Sequence, residues 1–226
     1  MDIPFFILPE DSTDFPHPDT TGGTGILAVG SNLKVPTLLK AYRIGAFPWY
    51  NENEPIIWHH PDPRFVLFPD KVKISHSMKA ILNSGPFLFK VDSHFKEVVR
   101  NCRNIPRPKQ EDAGTWITDS IEEAYTELFN QGFAHSAEAW HNNELVGGLY
   151  GVRIGKVFFG ESMFAKESNA SKFAFIKMVH YLKKQGVEMI DCQVYTKHLK
   201  SLGGEYITRN YFIKLLNRLI PSDPLF

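Results

Sequence analysis

Glu161 stands two residues past the run Val157, Phe158 and Phe159, with Met163 and Phe164 just beyond it. A carboxylate among apolar side chains must reach solvent, find a partner or serve a reaction, because burying it unpaired is costly. Solvation at a strand end is the plain alternative. Further along, "EMIDCQVY" carries Asp191 and Gln193 two residues apart on a mostly apolar segment. On a strand that spacing turns both to one face and Cys192 to the other, which makes Cys192 a core thiol rather than a nucleophile. If the strand of Glu161 lies beside this one, three polar groups converge on one cleft. Such a set can bind an amine and handle its proton, or it can be a structural hydrogen-bond network.

Several other chemistries lack their residues. The histidines show no ligand spacing, and the adjacent His59 and His60 project differently, so no metal site is expected. There is no dinucleotide fingerprint, no P-loop and no GxSxG elbow. The turn "SMFAKESNAS" after the strand of Glu161 has no glycine. Acetyl-CoA enzymes of similar architecture cradle pyrophosphate there on backbone N–H groups, which requires close approach. No cofactor is expected.

These residues need positioning elements. "TDSIEEAYTELFNQG" has an N-cap, early glutamates, an apolar stripe and a closing Gly132, which predicts a helix. "AHSAEAW", "ELVGGLYGVRI" and "KVFFGES" predict an antiparallel meander, "SNASKFAFIKMVHYLKKQG" a capped helix and "EMIDCQVY" a strand. "TKHLKSLGG" reads as a short helix and turn, and "RNYFIKLLNRLI" as a last helix. The order suggests an α+β, acyltransferase-like core from about 112 onward, with a smaller domain before it. In that earlier part, 1–34 reads as irregular and "KVPTLLKAYRIGAF" as a helix stopped by Gly45. The proline-rich "FPWYNENEPIIWHHPDPRFVLFP" allows short strands and a shaped loop. Helices opened by Ser75 and Ser93 follow, and 103–114 is a polar, mobile loop. The expected division is a small N-terminal domain over 1–70, a basic helical linker region over 71–111 and the catalytic domain over 112–226.

The formal net charge is 0, but it is unevenly spread. Lys+Arg against Asp+Glu runs 4 to 9 over 1–70, 9 to 2 over 71–110, 3 to 10 over 111–170 and 9 to 4 over 171–226. The two basic blocks suit a polyanion, although solvated helix faces produce such blocks as well. No apolar run is long enough to cross a bilayer, and the start lacks a basic, signal-like region. Two cysteines without a CxxC pair point to a reduced, cytoplasmic protein.

"AYRIGAFPWY", "WHHPDPR", "GTWIT", "ELVGGLYGV", "FFGESMF", "NASK", "IDCQV" and "SLGGEYITR", in this order, resemble the leucyl/phenylalanyl-tRNA–protein transferases from about residue 22 to the end. The resemblance implies a small N-terminal domain followed by an acetyltransferase-type (GNAT-like) C-terminal domain. It implies a monomer, active away from membranes, that moves Leu or Phe, with Met as a further candidate, from aminoacyl-tRNA to proteins beginning with Arg or Lys. That transfer marks the acceptor for the N-degron pathway. Carried over by motif, Gln193 positions amine and carbonyl, and Asp191 orients Gln193 and draws off the proton. Glu161 holds the amine or the acceptor's cationic side chain. Leu149, Phe158, Met163, Phe175 and Met178 fall at the aminoacyl pocket, and Trp49 and Trp116, assisted by Tyr42, at the terminal adenosine. Lys71, Lys73 and Lys79 are the expected phosphate contacts. Two departures stand out: Trp58 is followed by His59 and His60 where other members carry a second Trp, and 76–84 is less basic than usual. A peptidoglycan-type aminoacyl transferase and a catalytically silent RNA-binding module are the competing readings.

Overall fold

In a computed structural model that describes residues 6–21, 23–104 and 116–222, the hydroxyls of Ser75, Thr118, Thr196 and Thr208 cap the starts of four of the described α-helices. Strand β1 (Phe6–Leu8) runs parallel to β2 (Ile26–Gly30), and β2 is antiparallel to β4 (Ile57–His59). Helix α1 (Val35–Arg43) leads into β3 (Phe47–Pro48) and β4 (Ile57–His59), which complete a four-stranded sheet ordered β1-β2-β4-β3. The expectation of an irregular 1–34 is therefore corrected. These strands are too short for an alternating pattern, and backbone pairing alone reveals them.

Sheet membership changes after β4. Strand β5 (Arg64–Leu67) leaves the small sheet and enters a seven-stranded one. Helix α2 (His76–Ser84) starts at Ser75, whose hydroxyl accepts from Met78 N–H. Strand β6 (Leu88–Val91), absent from the sequence expectation, then forms the far edge of the large sheet. Helix α3 (Phe95–Asn104) is not capped by Ser93 as expected. The fully buried Glu138 accepts from the N–H groups of Ser93 and His94 at 2.8 and 2.7 Å, and from Ser136 Oγ and Trp140 Nε1. A carboxylate at a helix N-terminus satisfies otherwise orphaned donors and suits the helix dipole. The polar loop expected over 103–114 lies, from 105 onward, outside the described residues.

Helix α4 (Asp119–Asn130), opened by Thr118, precedes the meander β7 (Ala134–His141), β8 (Glu144–Ile154) and β9 (Val157–Ala165). Helix α5 (Ala170–Lys184) follows; its N-cap Asn169 makes no side-chain capping bond. Strand β10 (Met189–Asp191) then pairs parallel to β9 and antiparallel to β5. Helix α6 (Lys197–Ser201), β11 (Glu205–Ile207) and α7 (Arg209–Leu219) end the described chain. The large sheet runs β11-β5-β10-β9-β8-β7-β6. This is the α+β order expected from the sequence, with β5 and β11 added at one side.

Two apolar layers hold the sheet. Helices α1, α3, α4 and α7 contribute Tyr42, Val98, Tyr125 and Phe212 to one, around Val66, Tyr150 and Phe159. Helix α5 contributes Phe173, Ala174 and Met178 to the other, with Phe65, Leu149, Phe158 and Ile190. Gly45 ends α1 with φ 82°, and a Cβ there would lie 2.5 Å from Phe212 Cε1. Only glycine allows that turn and that approach, so Gly45 ties the first helix to the last. No described helix is long and apolar enough to cross a membrane.

Candidate active site

Strands β9 and β10 pair through Met189–Val157, Ile190–Phe158 and Asp191–Phe159, and pairing stops there. Strand β9 continues while the chain after Asp191 turns away. A cleft of about 480 Å³ opens where the two part. Leu149, Phe158, Met163, Phe175 and Ile190 line its apolar part, Phe47, Trp49 and Trp116 form an aromatic wall, and Glu161 and Gln193 supply polar groups.

Glu161 lies two residues beyond Phe159, the last residue of β9 that pairs with β10. Its Oε1 accepts from Tyr42 Oη at 2.8 Å and from Gln193 Nε2 at 2.9 Å, and its Oε2 accepts from Tyr125 Oη at 2.9 Å. Burial pushes the carboxyl up to about 7, while the two tyrosine hydroxyls pull against the rise. The tyrosine oxygens are themselves 2.5 Å apart. Three contacts therefore join three groups, but the two hydroxyls bring only two protons. Protonation of Glu161 would supply the third and close a ring with one proton in each contact. The cluster thus accommodates both states of the carboxyl, as proton handling requires.

Gln193 is not on a strand. Strand β10 ends at Asp191, and Gln193 has φ 61°, so its relation to Asp191 is not the alternation expected from sequence. Its N–H donates to Asp191 Oδ1 at 2.9 Å, which holds the left-handed turn. Because Nε2 faces the acceptor oxygens of Glu161, the amide carbonyl is left for a donor in the cleft.

Asp191 is 0% exposed and does not line the cleft. Arg64 Nε and Nη2 donate to its two oxygens at 2.8 and 2.6 Å. The guanidinium is itself enclosed between Phe47 and Phe212, with ring centroids 4.9 and 4.7 Å away. The carboxylate is sealed and doubly bonded, so the structure places it behind the cleft in which its expected proton-drawing role would operate. Its contacts support the orienting part. Cys192 lines the cleft, but burial pushes its thiol far above the ordinary range, so it stays a thiol.

Two expected contacts lie elsewhere. Tyr42 is fully buried, with its hydroxyl on Glu161, so it offers no face to an adenine. Met178 is buried in the α5 layer and does not reach the cleft. Leu149, Phe158, Met163 and Phe175 do line it, as do Trp49, 44% exposed, and Trp116. His59 Nε2 meets Trp49 O at 3.0 Å and its ring packs on that of Trp49, which steadies this rim. Buried His60 is pushed down to about 3 by burial and by Arg64 and Arg209, and is neutral. Lys71, Lys73 and Lys79 are exposed, with Lys71 paired to Glu205. Among the described residues no group of His, Cys, Asp or Glu is placed to hold a metal.

Arg64 and Tyr125 were missed as site residues. Arg64 had a visible signal, a lone cation heading the apolar run "RFVLF". Tyr125 had none, since it sits in the apolar stripe of α4, where core packing explains an aromatic ring.

Residues 66–217 match the model of the leucyl/phenylalanyl-tRNA protein transferase family, and 31–62 match the model of that family's N-terminal domain. The chain belongs to this family. Curated leucyl/phenylalanyl-tRNA–protein transferases agree over nearly the whole length. That of Christiangramia forsetii is 49% identical over 94% of this chain and 99% of its own, and that of Myxococcus xanthus 45% over 96% and 92%. Among solved structures, L-PGS from Bacillus licheniformis is similar with a TM-score of 0.45 and 13% identity, over 84% of this chain and 71% of that one. A GCN5-related N-acetyltransferase-like protein from Streptococcus suis is similar with a TM-score of 0.38 and 10% identity, over 65% and 58%. As a leucyl/phenylalanyl-tRNA–protein transferase, the chain transfers an aminoacyl group from tRNA to protein. That reaction is aminolysis of an ester.

Proposed function

We propose that the transferase moves Leu or Phe, with Met as a further donor, onto the α-amino group of proteins that begin with Arg or Lys. The observation that carries this reading is the position of Glu161 and Gln193 at the mouth of an apolar pocket, where β9 and β10 part. Leu149, Phe158, Met163 and Phe175 seat the aminoacyl side chain. The flexible Met163 lets one pocket admit both an aliphatic and an aromatic shape. Trp49 and Trp116 hold the terminal adenosine by stacking.

In the step itself, the acceptor nitrogen attacks the ester carbonyl carbon. A C–N bond forms, the bond from that carbon to the ribose oxygen breaks, and one proton passes from nitrogen to the departing oxygen. Gln193 Oε1 accepts from the amine and aims it. Glu161, poised near 7 and tied to Tyr42 and Tyr125, takes up the proton and returns it to the ribose oxygen. Asp191, held by Arg64, fixes the turn that presents Gln193. This moves the proton-handling role from Asp191 to Glu161 and leaves Asp191 its orienting part, because Glu161 reaches the cleft and Asp191 does not.

Lys71, Lys73 and Lys79 are proposed phosphate contacts for the tRNA. For the domain division, a break near 62 is preferred to one at 70, since β5 belongs to the large sheet. The enzyme is proposed to act as a cytoplasmic monomer in an N-degron pathway. Incubation with labelled Leu-tRNA and a peptide beginning with Arg tests the reading. Label should reach that peptide and not its acetyl-Arg counterpart, and equal labelling of both would overturn it.

A further inference from the structure

Beside the cleft lies an exposed aromatic surface that has no task in the reaction just described. Tyr195 and Tyr206 stack with centroids 5.9 Å apart and planes 16° from parallel, and they are 44% and 53% exposed. The fully buried Phe65 meets both rings edge-on, at 5.4 and 5.0 Å, and holds them in place. Tyr206 sits opposite Phe65 in the sheet, and Phe65 exchanges backbone bonds with Cys192 and Gln193. Two strand spacings, about 10 Å, therefore separate Tyr206 from the chain at Gln193. Val194 and Thr196, which flank Tyr195, both line the cleft. The tyrosine pair thus continues the cleft wall outward.

Charge decides what fits there. Lys73 N–H donates to Leu202 O, and the Lys71 ammonium pairs with Glu205, so both lysines border the start of β11. Lys197 and Lys200 are exposed on α6, between the two tyrosines in sequence. Between Val194 and Lys214 the only acidic residue is Glu205, which Lys71 already holds. An acceptor beginning with Arg or Lys would bring positive charge to a positive surface. Unpaired nucleotides bring flat rings to the tyrosines and phosphates to the lysines.

We propose that Tyr195 and Tyr206 form a stacking platform for the single-stranded nucleotides that precede the terminal adenosine of the donor tRNA. The inference rests on the donor reading above and extends the donor site outward from the adenosine.

The test compares two donors, phenylalanyl-adenosine and the phenylalanyl ester of the trinucleotide CCA, in transfer to an Arg-initiated peptide. Tyr195→Ala, on a loop, and Tyr206→Thr, which keeps a strand-favouring residue on β11, should each raise KM for the trinucleotide about tenfold, a loss of about 1.4 kcal/mol. KM for phenylalanyl-adenosine and for the peptide should stay within twofold, and Tyr206→Phe should behave as the unaltered enzyme. Equal rises for both donors, a rise for the peptide instead, or no change in any KM would each overturn the platform. If Tyr206→Thr fails to fold, Tyr195→Ala decides alone. An unaltered enzyme that uses neither donor would overturn the donor reading itself, which separates the two failures.

Discussion

Arg64 grips Asp191 through two hydrogen bonds, 2.8 and 2.6 Å long, where neither side chain meets solvent. The pair joins β5 to the end of β10, and its other contact, the N–H of Gln193, fixes the turn at the cleft. Removing one partner leaves a buried charge unmatched, which typically costs about 3–5 kcal/mol. Asp191→Ala should therefore lose stability of that order as well as turnover. The double variant Arg64→Met with Asp191→Leu should recover much of the stability and none of the turnover. Urea unfolding alongside kcat measures both, and a stable Asp191→Ala enzyme would contradict the pairing argument.

Turnover should depend on pH through Glu161. The carboxyl must be ionised to take the proton, so kcat should fall as pH drops below about 7. Charged and polar groups around it are Tyr42 from α1, Arg64 from β5, Tyr125 from α4, Asp191 at the end of β10 and Gln193 just after it. Tyr42→Phe removes a hydroxyl that favours the ionised form, so the acid limb should move to higher pH. An unmoved limb in that variant would exclude Glu161 as the titrating group.

The same shift has a consequence for stability. The folded carboxyl titrates above its unfolded value near 4.5, so the native state binds more protons between about 4.5 and 7. Stability should therefore fall as pH rises through that window, by roughly 3 kcal/mol for this group alone. Glu161→Gln should flatten the slope. Urea midpoints taken across the window report it directly.

Gln193→Ala should lower kcat by about a hundredfold or more while KM for aminoacyl-tRNA stays nearly constant, because the side chain aims the amine and does not hold the donor. A donor KM that rose with little change in kcat would assign Gln193 to binding instead.

Trp116→Ala should raise KM for whole aminoacyl-tRNA and for aminoacyl-adenosine by similar factors, since stacking on the adenosine serves both. Unchanged donor KM in a folded variant would move the adenosine site away from the aromatic wall.

Glu138 offers a control remote from the reaction. It satisfies four donors that Glu138→Ala would leave without a partner at the start of α3 and on β7. The expected cost is several kcal/mol, with donor KM unchanged for the fraction that stays folded. Thermal unfolding beside a donor titration checks both.

The segments with a strong period or clear punctuation were legible without coordinates: α4 with its Thr118 cap, the β7–β9 meander, α5 and α7. Local pattern determines such elements, because each repeats one burial choice over many residues. The motifs around Glu161, Asp191 and Gln193 likewise identified the family and marked the three polar groups. The division of labour among those groups was not legible, since it depends on which neighbour arrives from elsewhere in the chain. Arg64 comes from 127 residues away and seals Asp191, while Tyr42 and Tyr125 come from two different helices and tune Glu161. The strands β1, β2 and β6 were hidden for the related reason that short strands draw their hydrogen bonds from partners rather than from their own pattern. Composition along the chain selected the side chains of the site. Burial and long-range pairing, which exist only once the sheets assemble, decided which carboxylate faces the cleft.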